Sequence, residues 1–187
     1  FRTVGCQVER VGIDWDGADE AFHTLRAAAV ASGFANLPER AEPQLKETLQ
    51  WNLARGRALS GADVTRAERL RTAVFGRLHD FMETYEFLVL PVNQVAPFPI
   101  EIEYPTEVAG VAMENYIDWM RSCYFVTVTG HPAISVPCGF TSEGLPVGVQ
   151  IVGRHHDDFG VLTLAFAYQE ATRWCDRRPP LGIDRVA

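Results

Sequence analysis

Gly130–Gly153 reads GHPAISVPCGFTSEGLPVGVQIVG, two short apolar segments joined by a turn and punctuated by glycine and proline. From Ala133 to Phe140 the residues alternate, with Ile134, Val136, Cys138 and Phe140 on one side and Ala133, Ser135, Pro137 and Gly139 on the other. A period of two is that of a strand, and the second side is small enough for a helix or another backbone to approach closely. Thr141–Leu145 contains Glu-Gly and reads as the turn. The returning segment sets Val147, Val149 and Ile151 against Gly148, Gln150 and Val152. The two predict an antiparallel hairpin within a larger sheet. Gly148 and Gly153 do not make a dinucleotide-binding fingerprint, which needs a G-x-G-x-x-G turn between a strand and a helix.

Beyond the hairpin, Asp157 or Asp158 is placed to cap a last helix, with Phe159, Leu162, Ala165, Phe166 and Tyr168 as a wide buried face. That helix should stop before Pro179-Pro180, and 176–187 is expected to be a loose tail. Before the hairpin, Asn115–Tyr124 predicts a helix offering Tyr116, Trp119, Met120, Cys123 and Tyr124 to one apolar face. Core packing explains such a face, and so does a pocket wall, since small-molecule sites use aromatic linings with few polar groups. Phe87–Leu90 is a continuous apolar run, the pattern of a strand covered on both faces. Pro91–Pro99 holds three prolines, with Asn93 and Gln94 as its polar side chains. It excludes regular helix and central strand, and a loop so apolar is expected to lie on the body or line a cleft.

The first half is mostly helical in pattern. Val4–Val11 reads as a short strand and Asp14–Gly17 as a turn, with Asp16 as N-cap of a helix that carries Phe22, Leu25 and Ala29 and ends at Ser32-Gly33. Pro43 suits the first residue of a second helix, with Leu45, Leu49 and Leu53 in one stripe and Gly56 closing it. Ser60 and Asp63 resemble a capping box before a longer helix, whose stripe is Val64, Ala67, Leu70, Val74, Leu78 and Phe81. Arg66, Glu68, Arg69 and Arg71 form its solvated side. Strands interleaved with helices give an α/β class, a mixed β-sheet with flanking helices.

At 187 residues, 47% hydrophobic and 22% charged, the chain suits one globular domain. A net charge of -7 with dispersed basic residues argues against nucleic-acid binding. No run of about 18 apolar residues predicts a membrane span. The four cysteines make no C-x-x-C pair, so zinc-ribbon and thioredoxin chemistry are not indicated, and reduced thiols of a cytoplasmic protein are expected. The opening Phe1-Arg2-Thr3-Val4, without Met or signal pattern, reads as an internal start, with upstream residues expected.

A self-contained active site is not indicated. Ser135 and Cys138 lie near His131 in sequence, but nucleophilic catalysis needs a base within hydrogen-bond reach and a group orienting it. His155-His156 and Asp157-Asp158 are adjacent pairs, and adjacent side chains on extended backbone point opposite ways. Glu101, Glu103 and Glu107 read as solvated carboxylates, and His79 as a surface histidine on its helix.

Four segments together resemble the C-terminal region of the amidase signature family, in that family's order. They are Gly56–Arg71 (GRALSGADVTRAERLR), Tyr85–Pro99 (YEFLVLPVNQVAPFP), the hairpin Gly130–Gly153, and Leu162–Trp174. The resemblance covers most of the chain. It implies a large mixed sheet ringed by helices, to which this chain gives the later strands and helices. It also implies hydrolysis of a carboxamide to acid and ammonia or amine, without metal or cofactor, by a Ser nucleophile, a bridging Ser and a Lys base lying upstream. No catalytic residue carries over: there is no Gly-Gly-Ser-Ser stretch, and the lone lysine, Lys46, sits in an amphipathic segment. The chain is thus expected to be an incomplete back half, inactive alone and contributing part of the acyl-pocket wall. Asn93, Trp119, Met120, Cys123 and Tyr124 are the candidates. Its expected partners are a small-molecule amide and either the missing front half or further copies of itself. Two other readings stand beside this one. One is a non-catalytic module binding through an apolar sheet face. The other is the amide-transferring subunit of a tRNA-dependent amidotransferase, which shares the family.

Overall fold

The computed structural model describes residues 1–177. In chain order its main elements are α1 (Ala18–Gly33), α2 (Glu47–Arg57), α3 (Gly61–Thr84), β1 (Phe87–Pro91), β2 (Glu107–Val108), β3 (Val111–Ala112), α4 (Arg121–Thr129), β4 (Ala133–Phe140), β5 (Pro146–Gly153) and α5 (Asp158–Thr172). The sheet has the order β1-β5-β4, antiparallel throughout, while β2 and β3 form a separate two-stranded ribbon.

The hairpin forms as its alternation predicts. Ile134 lies opposite Ile151 and Ser135 opposite Gln150. A bulge at Cys138, where Gly139 takes φ 147°, shifts the register by one before the turn. One sheet face packs Val136, Ile151 and Ile134 under Ala165 and Tyr168 of α5. The other packs Val152 and Leu88 against Leu78 and Met82 of α3 and Val126 of α4. The sheet is therefore sandwiched between α5 and the α3–α4 layer.

α3 is the best-specified element. Ser60 caps it and Asp63 closes the box, its carboxylate accepting from the Ser60 N–H at 2.8 Å. Ala67, Val74 and Leu78 are buried along the predicted stripe, with Met82 completing it. α1 packs between α2 and α3 through small residues: Ala18 and Ala21 meet Leu70 and Val74, and Ala27 and Ala31 face Gly56.

Several boundaries differ from the sequence reading. Val4–Val11 is not a strand: Arg2–Val4 is a 3-10 turn, and 7–12 is exposed and unpaired in any described sheet. Its β-branched residues meet no partner strand, and propensity alone does not make a ladder. The N-cap of α1 is Gly17 at φ 79°, not Asp16, whose N–H instead donates to Asp14 Oδ1 at 2.9 Å. A side chain at Gly17 would run into Leu70, so the tight turn and the α1–α3 contact both select glycine. Ala29 is exposed, the buried positions of α1 being Ala18, Ala21 and Ala27. Pro43 lies inside a 3-10 segment, Glu39–Gln44, and α2 starts only at Glu47, placing Leu45 ahead of the helix and Gly56 within it. β1 is not covered on both faces, since Val89 is 38% exposed.

The largest difference is on α5. Asp157 caps it, accepting from the Gly160 N–H at 2.9 Å, and Val161, Ala165 and Tyr168 are buried. Phe159, Leu162 and Phe166, however, are 81%, 55% and 66% exposed. The helix is apolar on two faces while the described residues cover one. The expected loose tail falls largely outside the described residues, but Asp176 ends a short 3-10 turn, and the Arg177 guanidinium lies 3.9 Å over the Phe140 ring.

Candidate functional site

The proline-rich segment after β1 borders a cleft of about 540 Å³, which it forms with Trp119 and with Pro146–Gly148 at the start of β5. Three side chains pin this segment to the body. Gln150, 5% exposed, donates from Nε2 to the Pro91 carbonyl at 3.0 Å and the Ser122 carbonyl at 2.7 Å. Ser122 Oγ donates to the Val92 carbonyl at 2.8 Å, and Gln94 Oε1 accepts the Arg121 N–H at 2.7 Å, serving an otherwise open donor of the α4 N-terminus. These ties, one of them from a buried side chain, hold the loop against the body. Phe98 meets Trp119 edge-to-face, ring centroids 5.4 Å apart at 84°, forming the aromatic wall.

The expected helix over Asn115–Tyr124 is broken. Asp118 turns its carboxylate back to accept the N–H groups of Glu114 and Asn115, at 2.9 and 3.3 Å, and the Asn115 side-chain amide at 2.9 Å. A 3-10 turn, Asp118–Met120, follows and leads into α4, with Met120 at φ -100° and ψ 17° between them. The predicted aromatic face is divided among different surroundings. Asn93 and Trp119 line the cleft. Cys123 instead lines a second depression, of about 350 Å³, together with His131 and Ser135. Tyr124 faces α1, stacked on Phe22 at 4.3 Å with its hydroxyl bonded to Asp19, and burial with that carboxylate pushes the phenol well above its usual range. Met120 is half-buried and borders neither depression. Sequence reading missed Phe98 and Gln150, although a lone glutamine in an otherwise apolar strand is a signal for a buried polar tie.

A family model described as Amidase matches residues 16–162. The chain belongs to the amidase signature family. It is 30% identical over 182 residues to an acylamidase of Rhodococcus erythropolis, covering 96% of this chain and 38% of that protein. It is 34% identical over 119 residues to a glutamyl-tRNA(Gln) amidotransferase subunit of Thermodesulfovibrio yellowstonii, covering 62% of this chain and 23% of that protein. The solved structure of 6-aminohexanoate cyclic dimer hydrolase superposes with a TM-score of 0.80 at 21% identity, over 96% of this chain and 40% of that one. The fold is thus the α/β amidase signature fold. The chain spans well under half the length of the relatives it matches.

Among the described residues, Lys46, His131 and Cys138 are not arranged as a nucleophile and its base. The Glu103 carboxylate, 2.6 Å from Lys46 Nζ, holds that exposed ammonium above its usual range, the reverse of what a general base requires. Among the described residues the ring nitrogens of buried His131 have no hydrogen-bond partner, so His131 is not placed to activate Ser135. Burial holds the His131 imidazole below the usual histidine range; the Thr129 backbone opposes this and His155 and His79 add to it. Burial also raises the Cys138 thiol, which disfavours the reactive thiolate. Among the described residues no trio of His, Cys, Asp or Glu is placed to hold a metal ion, and no helix is long and apolar enough to cross a membrane.

Proposed function

We propose that these residues are the C-terminal portion of a cytoplasmic amidase that hydrolyses a carboxamide to a carboxylic acid and ammonia or an amine. They supply one wall of the substrate cleft, and the nucleophile and base come from the remainder of the parent chain. The observation that carries this reading is the cleft's composition. Its wall is Trp119 against Phe98, Gln150, Ser122 and the Gln94 oxygen tie its loop down, and Asn93 is a cleft-lining amide without a hydrogen bond among the described residues. Such a surface recognises an apolar or aryl group and orients one polar function. The open edges of β1 and β4 and the apolar stripe of α5 fit association with that remainder, or with a second copy of the chain.

The test compares the full-length protein with residues 1–187 in release of ammonia from benzamide. Full-length protein is expected to turn over. Trp119→Ala and Asn93→Ala should each raise KM about tenfold, the scale of one lost pocket contact. Turnover by residues 1–187 alone would overturn the assignment of the bond-breaking groups to the remainder. The amidotransferase reading rests on the 62% of the chain that aligns with the Thermodesulfovibrio relative, against 96% for the acylamidase, and predicts instead that glutamine is the preferred amide donor.

A further inference from the structure

α1 carries a polar seam at i, i+4 and i+7. Asp19 Oδ1 accepts from the Tyr124 hydroxyl and, at 3.2 Å, from Arg121 Nε. His23 Nε2 lies 3.3 Å from Asp118 Oδ1. Arg26 donates to the Tyr116 hydroxyl at 2.9 Å and to the Asn52 side-chain oxygen. All three reach the segment between Tyr116 and Tyr124, which the cleft shares through Trp119. Asp118 is its hub. At 4% exposure it is a buried carboxylate with three N–H donors from 114–115 and an imidazole on the α1 side. A group so fully coordinated has one favourable geometry, and the loss of one partner leaves the others unsatisfied in a dry site. Trp119 is the next residue, and its backbone lies in the turn that Asp118 opens.

We propose that Asp118, clasped by His23 of α1, is a positioning residue that sets Trp119 against Phe98 and thereby fixes which acyl groups the cleft accepts. The inference rests on the reading of the cleft as the substrate wall. α1 contributes no lining residue to the cleft, yet through this seam it controls the cleft's aromatic side. Burial keeps the His23 imidazole below its usual range despite the nearby carboxylate, and the two groups meet as a close polar contact in a buried site.

The experiment is a double-mutant cycle on the full-length protein, read as the ratio of kcat/KM for benzamide over propionamide. Trp119→Ala should lower this ratio roughly tenfold. Asp118→Ala should lower it by a similar factor, and the double variant should fall no further than either single one, because both remove the same wall. A purely structural role for Asp118 would lower both substrates together and leave the ratio intact, which overturns the proposal. Multiplying effects in the double variant overturn it as well. An unchanged ratio in Trp119→Ala removes the cleft reading itself, and the proposal with it. Should Asp118→Ala not fold, Asp118→Asn and His23→Gln carry the same test, each with a smaller fall in the same direction.

Discussion

Replacing glycine by alanine inside a helix ordinarily stabilises it, by about 1 kcal/mol. At Gly56 of α2 the opposite is expected. A methyl group there would lie 2.6 Å from Ala31 Cβ and 2.9 Å from the Ala27 carbonyl carbon, and closer still to the Ala27 oxygen, all on α1. Carbon atoms pack at about 3.5–4.0 Å, so relief of the overlap requires the two helices to part by roughly 1 Å. Backbone cannot turn aside as a side chain does, which puts the overpacking cost at the upper end of its usual range, about 3 kcal/mol. Less the propensity gain, Gly56→Ala should destabilise by about 2 kcal/mol. Gly76 supplies the control, since it too lies within a helix, α3, but a methyl group there would meet nothing within 4 Å of its surroundings. Gly76→Ala should therefore stabilise by up to about 1 kcal/mol. Urea denaturation followed by far-ultraviolet circular dichroism gives both values. Equal stabilisation by the two substitutions would refute the close α1–α2 approach.

Stability should fall in mild acid, because burial lowers the affinity of both His131 and His23 for a proton. Below the ordinary value of 6.5 the unfolded chain binds protons that the native state refuses, so stability is complete above that pH and declines as pH falls towards the native pKa values. The slope is at most about 1.4 kcal/mol per pH unit for each histidine, and His131→Leu should reduce it measurably in urea melts at pH 5.5 and 7. On α5, Phe166→Ser should change the stability of residues 1–187 by less than about 0.5 kcal/mol, its side chain being exposed there. In the full-length protein the same substitution should cost about 2–3 kcal/mol if the parent chain covers that face, and parallel denaturation of the two proteins separates the cases.

What could be read from the sequence was whatever depends on near neighbours. The capping box at Ser60, the stripe of α3 and the alternation of the hairpin are local and mutually consistent, and each appears in the structure. The readings that failed depended on something distant in sequence. Val8 and Val11 have strand propensity but no partner. Gly56 reads as a helix stop, whereas its role is set by Ala27 and Ala31 on another helix. The helix expected from Asn115 begins instead as a 3-10 turn, Asp118–Met120, with Asp118 accepting the N–H groups of 114 and 115, and the spacing of apolar residues carries no record of that local geometry. The candidate pocket wall was only partly legible, because Trp119 and Tyr124, five residues and about 140° apart on a helix, lie at the two margins of the broad apolar stripe, one meeting the cleft and the other α1.

The disposition of polar groups bears on why this cleft suits recognition rather than bond cleavage. An amide-cleaving site needs a nucleophile with a base in reach and donors left free for the developing oxyanion. Around the cleft such groups are already committed. The Ser122 hydroxyl is given to Val92, the Gln150 NH2 to Pro91 and Ser122, the Gln94 oxygen to Arg121, and the Asp118 carboxylate to 114–115. To use any of them in catalysis would release the loop or the turn that shapes the wall. Rigidity and reactivity compete here for the same side chains, and the structure assigns them to rigidity. Among the described cleft residues, the Asn93 amide, the Gln94 side-chain NH2 and the face of Trp119 are not committed in this way. On the proposed reaction, then, these residues govern which amide is held and at what angle. The rate of the chemical step should respond to them only through that placement, with the largest effects on substrates whose acyl group is wide enough to touch Trp119.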